Sequence, residues 1–114
     1  MKWPKKVRIC WCDYRLKLMA NKDSGNWGEH SSMDSELRIN VHASQDPRRI
    51  AHTLIHEILH GIRESGMPAH LFTALRSCTS DEAEEAIVTS FTDGLAQVAR
   101  DNPKLWRKLG KALA

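Results

Sequence analysis

The sequence predicts an α+β fold: a small, mostly antiparallel sheet, then a first long helix carrying a His-Glu-x-x-His motif, a second long helix and a short C-terminal helix. Three observations predict it. Apolar residues alternate with period two in KVRICWCDYRLKLM (Lys6 to Met19) and in ELRINVH (Glu36 to His42). They recur at helical spacing from Ile50 to Ile62 and again from Ile87 to Val98. Finally, 114 residues suit one domain, 1–114, given about 100–200 residues per domain.

Lys6 to Met19 is rich in β-formers, with Val7, Ile9 and Trp11 on one parity and Cys10, Cys12, Tyr14, Leu16 and Leu18 on the other, and reads as one strand. NKDSGN (Asn21 to Asn26) is turn chemistry, and WGEHSS after it reads as a short strand. In ELRINVH, Leu37, Ile39 and Val41 oppose Arg38, Asn40 and His42, the pattern of a half-buried strand near a sheet edge.

Asp46-Pro47 supplies an N-cap and a proline at the first helical position. The helix it opens carries Ile50, Leu54, Ile55, Ile58, Leu59 and Ile62 as its apolar stripe. Gly66 and Pro68 end it, and HLFTALR (His70 to Arg76) reads as a short helical turn. Thr79-x-x-Glu82 is a capping box. Asp81, Glu82, Glu84 and Glu85 crowd the first turns of the helix it starts, where the helix dipole favours negative charge. Ile87, Val88, Phe91, Leu95 and Val98 form its apolar stripe. Asp101-Asn102-Pro103 stops that helix and begins the last one, which presents Leu105, Trp106, Leu109 and Leu113.

Composition narrows the function classes. Three cysteines, two of them in CWC (Cys10, Cys12) and one at Cys78, do not make a secreted disulfide framework and suit a reducing cytosol. Cys10 and Cys12, on one strand face, are read as buried or edge thiols, since a second metal site with Cys78 would lack a fourth ligand. No apolar run approaches the roughly eighteen residues of a membrane span, and MKWPKKVRIC lacks the apolar core of an export signal, so a soluble, cytoplasmic protein is expected. The net charge of +3 is too small and too dispersed between the two ends to imply nucleic acid. Trp3, Trp11, Trp27 and Trp106 are too scattered for a base-stacking platform.

The chemistry lies in HTLIHEILHGI (His52 to Ile62), which places His56, Glu57 and His60 in the order His-Glu-x-x-His. One helical turn apart, His56 and His60 lie on one face about 40° from each other and away from the apolar stripe. Neutral imidazoles bind Zn²⁺ at about 2.0–2.1 Å, so this spacing sets two corners of a tetrahedron without bending the backbone. Glu57 points about a quarter-turn aside, placed to take a proton from a metal-bound water as general base. His52 lies too far from His60, about 12 Å along the axis, to share the ion.

A catalytic zinc wants a third protein ligand and an open position. The longer metzincin pattern would require a glycine where Arg63 stands and a histidine where Gly66 stands, so that subclass is excluded. The acidic head of the second helix remains. Glu84 falls about 20° from Phe91, inside the apolar stripe, where a carboxylate is costly unless something positive receives it. Glu85 falls about 120° away, on the margin, where dipole-stabilising surface charge is the blander account, as it is for Glu82. His70, Tyr14 and Arg63 are candidates for polarising a scissile carbonyl.

TLIHEILHGI (Thr53 to Ile62), EEAIVTSFTDGL (Glu84 to Leu95) and DNP (Asp101 to Pro103) together resemble the small zincin-like metallopeptidases of the gluzincin kind found in bacteriophages and prophages. The resemblance covers most of the chain from Leu37 onward, and WGEH and ELRIN more loosely. It implies zinc held by His56, His60 and a glutamate at the head of the second helix, Glu84 or, as the alternative, Glu85, with Glu57 as catalytic acid/base. It also implies that an edge strand, here Leu37 to Val41, holds an extended peptide or protein substrate by strand addition. The stretch between Ile62 and Thr79 departs from it as an insertion. Two rival readings stand beside hydrolysis: a non-enzymatic domain that keeps zinc for folding, and a phage accessory protein binding nucleic acid through its basic ends.

Overall fold

The computed structural model describes residues 2–20, 27–31, 33–41, 46–66 and 79–114. Among them are four strands and three helices, an α+β arrangement with a small mixed sheet. The turn expected at NKDSGN and the helical turn expected at HLFTALR lie outside the described residues, as do His70 and Cys78.

Lys6 to Met19 is a hairpin and not one strand. β1 (Lys6–Ile9) pairs antiparallel with β2 (Cys12–Met19), and Ile9 lies opposite Cys12, which leaves Cys10 and Trp11 as the turn. Cys10 takes a φ of 56°, the left-handed region that residues with a Cβ rarely enter. Its backbone N–H donates to Gln97 Oε1 at 2.6 Å. The turn was hidden because it carries none of the Asn-Gly or Asp-Gly chemistry that marks two-residue hairpins. It also takes Cys10 out of the strand, so the two thiols do not share a strand face.

β3 (Gly28–Ser31) and β4 (Glu36–Asn40) complete the sheet in the order β1-β2-β4-β3. β4 runs parallel to β2 and antiparallel to β3. The strand at 36–40 is therefore interior, not at the edge as its alternation suggested: Asn40 N–H donates to Trp27 O and Val41 N–H to Met19 O, each at 2.7 Å, one on either side. The edge belongs to β3. On the sheet's inner face Val7, Ile9, Tyr14, Leu37 and Ile39 are buried. Its outer face is polar, with Glu36 2.8 Å from Lys17 and 3.1 Å from Arg38, as expected when one face of a sheet packs and the other meets water.

Helix α1 (Pro47–Gly66) lies on the inner face and buries Ile50, Ala51, Leu54, Ile58 and Ile62, most of its expected stripe, with Ile55 and Leu59 at the margin. Asp46 accepts from the Arg48 N–H at 3.1 Å, the side-chain cap expected before Pro47. Helix α2 (Ser80–Asp101) starts with the capping box, Glu82 N–H donating to Thr79 Oγ1 and Thr79 N–H to Glu82 Oε2. Only its second half packs tightly: Gly94 and Val98 are buried, whereas Ile87 and Val88 are exposed. Gly94 sits directly against Ile62, where any Cβ would collide with it. Helix α3 (Pro103–Leu113) closes the core with Leu105, Leu109 and Ala112. Among the described residues no helix is long and apolar enough to cross a membrane.

The two sheet edges differ. The outer side of β1 is covered by α2: Arg8 N–H donates to Asn102 Oδ1, Asn102 Nδ2 donates to Arg8 O, both at 2.8 Å, and Gln97 Nε2 reaches the same carbonyl. Gln97 is in turn held by Asp101 at 2.9 Å. The Arg100 guanidinium and Gln97 hold the Asp101 carboxyl down to about 2, from an ordinary 3.8. Because the folded value is depressed, the stabilisation is present above about pH 4 and is lost as pH falls towards 2. Melting curves of Asp101→Asn should accordingly lose less between pH 5 and pH 2.5 than those of the parent; an identical loss would contradict this.

Candidate metal and catalytic site

Helix α1 has a dry stripe and a wet face. His56 and His60, one turn apart on the wet face, are exposed, while Glu57 between them is only 4 % exposed and turned towards the sheet. His56 Nε2 and His60 Nε2 are 3.2 Å apart. Two ligands about 2.0–2.1 Å from one ion, subtending a tetrahedral angle, lie roughly 3.3–3.4 Å apart. The imidazoles thus converge at the separation that a shared ion requires. Donor atoms of His56, Glu57 and His60 all lie within 4.8 Å of one another, the one group of this kind among the described residues.

Glu57 owes its burial to Gly28. A Cβ on Gly28 would lie 2.7 Å from Thr53 Cγ2 and 3.2 Å from Glu57 Cγ, so the bare backbone lets the edge strand close down on α1. Burial pushes the Glu57 carboxyl above the ordinary carboxylate range, opposed by His60 and then His56, and Glu29 adds to the rise. Such a carboxyl is poised to hold and release a proton. Gly28→Val should pry β3 from α1 and cost about 1–3 kcal/mol. Gly110→Ala, where nothing lies within 4 Å, should cost nothing. Thermal unfolding of the two variants checks this, and equal melting temperatures would refute the close approach.

β3 also brings in His30, which the sequence reading did not select. Gly28 and His30 share strand parity, so His30 faces α1 too. Its ring stacks near that of His60, with centroids 6.5 Å apart and planes 16° from parallel. His30 Nε2 is 3.1 Å from Tyr14 Oη, which is itself 2.9 Å from Ser65 Oγ. Burial lowers the His30 pKa, which favours the neutral ring. The period-two parity of WGEHSS was the one signal that placed Gly28 and His30 on a common face.

The other candidates fall elsewhere. Tyr14 is buried with its hydroxyl taken up by Ser65 and His30, so it reaches the site only through His30. Arg63 is exposed beside Glu64 at 3.5 Å, and His70 lies outside the described residues. Glu84 and Glu85 are exposed at the head of α2 and stay outside the group of His56, Glu57 and His60. Gly94 is where α2 packs tightly on α1, and Glu84 lies about 15 Å of helix axis before it. Ile87 and Val88, counted in the same stripe, are exposed too, so the stripe is buried only towards its C-terminal end.

The donor set fits zinc as far as it goes: two neutral-capable imidazole nitrogens at ligand spacing, with a carboxylate beside them. Compared with models of known protein families, the chain matches none, and it matches none of the curated proteins or solved structures either.

Proposed function

We propose that the protein is a zinc-dependent metallopeptidase in which His56 and His60 hold the ion and Glu57 is the general base. The observation that carries this reading is the 3.2 Å separation of the two Nε2 atoms beside a buried carboxylate of raised pKa. Zinc, when bound, would lower the pKa of a coordinated water to about 7 and polarise the substrate carbonyl. Glu57 takes the proton of the attacking water and passes it to the departing amine, a transfer that burial helps by holding its carboxyl above the ordinary carboxylate range.

Substrate positioning falls to β3. Asn40 N–H donates to Trp27 O, and β3 pairs with β4 with Glu29 opposite Arg38. In an antiparallel ladder the bonded pairs alternate, so the main-chain groups of Gly28 and His30 point outward, away from β4. An extended peptide added along that edge would run past Glu57. The edge strand of this proposal is β3 rather than Leu37 to Val41.

For the third ligand Glu84, with Glu85 as alternative, remains the proposal from the resemblance, and it requires the head of α2 to approach α1. Metal analysis of Glu84→Ala and Glu85→Ala proteins distinguishes the two: the true ligand's variant loses zinc. The reading as a whole is tested with zinc-loaded protein and a denatured protein substrate. Chelator-sensitive cleavage is the expected result. Stoichiometric zinc without cleavage would favour the domain that keeps its metal for folding.

A further inference from the structure

Beside the candidate site, between Trp27 and the first two turns of α1, lies a cleft of about 320 Å³ that runs from Arg49 and His52 past Thr53 to His56 and Glu57. That is the lower end of ligand-cleft volumes, roughly 300–1,000 Å³, and suits a side chain or a chain end. We infer that this cleft is a subsite for a substrate carboxylate, received by the Arg49 guanidinium stacked on Trp27.

Three observations support it. The Arg49 Cζ lies 4.5 Å above the centre of the Trp27 ring. A guanidinium lying over an aromatic ring keeps N–H donors available, and these form the fork that matches a carboxylate. The Trp27 backbone is anchored, since its carbonyl accepts from Asn40 N–H at 2.7 Å, which fixes where the ring under Arg49 leaves the sheet edge. Among the described residues no carboxylate lies within 4 Å of Arg49, whereas its neighbour Arg48 is already bonded to the Ala114 carbonyl at 3.2 Å.

Charge also orients the occupant. Among the residues lining the cleft Arg49 is the one Lys or Arg, so the carboxylate belongs at its end, with His52 beside it. Arg49 and Glu57 are about 12 Å apart along the helix axis, a span that roughly three to four residues of extended peptide cover. The recognised group is therefore an Asp or Glu side chain about that far from the scissile bond, or the terminal carboxylate of a chain ending there.

The inference rests on the peptidase reading for its placement, but its test does not need turnover. Zinc-loaded Glu57→Gln protein is titrated calorimetrically with short alanine peptides that carry one Glu or one Gln, each with a free or an amidated C-terminus. Peptides offering a carboxylate should bind about tenfold more tightly than the neutral amidated peptide. Arg49→Gln should erase that difference and Arg48→Gln should preserve it. Preference for the amidated Glu peptide identifies a side-chain carboxylate, and preference for the free-ended Gln peptide identifies a terminus. Equal binding of all the peptides, or a preference that survives Arg49→Gln, overturns the inference. Carboxylate preference in a protein whose parent cleaves nothing would refute the hydrolytic reading alone.

Discussion

Glu57→Gln is expected to lower kcat/KM on a peptide substrate by about 10²–10⁴-fold, the usual contribution of a positioned general base, with zinc content unchanged. Glutamine fills the same space, so the packing of Thr53 and Gly28 around the side chain survives. It cannot accept a proton. A second consequence separates this role from a structural one. Burial raises the folded pKa of Glu57, so its contribution to stability is present below the unfolded carboxylate value and is lost as pH rises through the folded value. At neutral pH the buried carboxylate therefore burdens the metal-free protein, and Glu57→Gln should raise its melting temperature there. A residue kept for the fold would fail both ways, with activity retained and stability reduced.

Leu54→Ala is expected to do the reverse. Leu54 is fully buried on the dry stripe of α1, and truncating such a residue costs about 2–5 kcal/mol through lost burial and the cavity left behind. In a domain of this size that lowers the melting temperature by roughly ten degrees or more. At a temperature where the variant remains folded its zinc content should match the parent's, because Leu54 and the histidines occupy different faces of one helix. A denaturant midpoint that did not move would show that the stripe is not the core of the protein.

Much of this division was legible in the sequence. The phase of Ile50, Leu54, Ile58 and Ile62 separated the dry stripe of α1 from its histidines, and Thr79 with Glu82 announced the head of α2, because local capping and periodicity need no knowledge of the rest of the chain. What was not legible depended on tertiary placement. Alternation over Lys6 to Met19 is loose, with Val7 and Ile9 on one parity and Tyr14, Leu16 and Leu18 on the other, and read as one strand it hid a hairpin whose turn is held by Gln97 from the far end of the chain. Alternation in β4 is equally compatible with an edge and with an interior strand, since the outer face stays polar in both; only the pairing with β2 and β3 decides. At α2, helical phase put Glu84 in the same stripe as Phe91 and Val98. Phase says nothing about how far along the helix the neighbouring element extends, and Ile87 and Val88 are exposed for that reason. The close approach of Gly28 to Glu57 carried no motif at all.

The central claim is that His56 and His60 share one metal ion, and the most direct measurement is zinc binding by the purified chain against a chromophoric chelator. The account predicts one tightly bound zinc per chain, with tight binding abolished in His56→Ala and in His60→Ala and retained in His52→Ala. Failure of the parent protein to bind zinc, or stoichiometric binding undiminished by loss of either histidine, would contradict it.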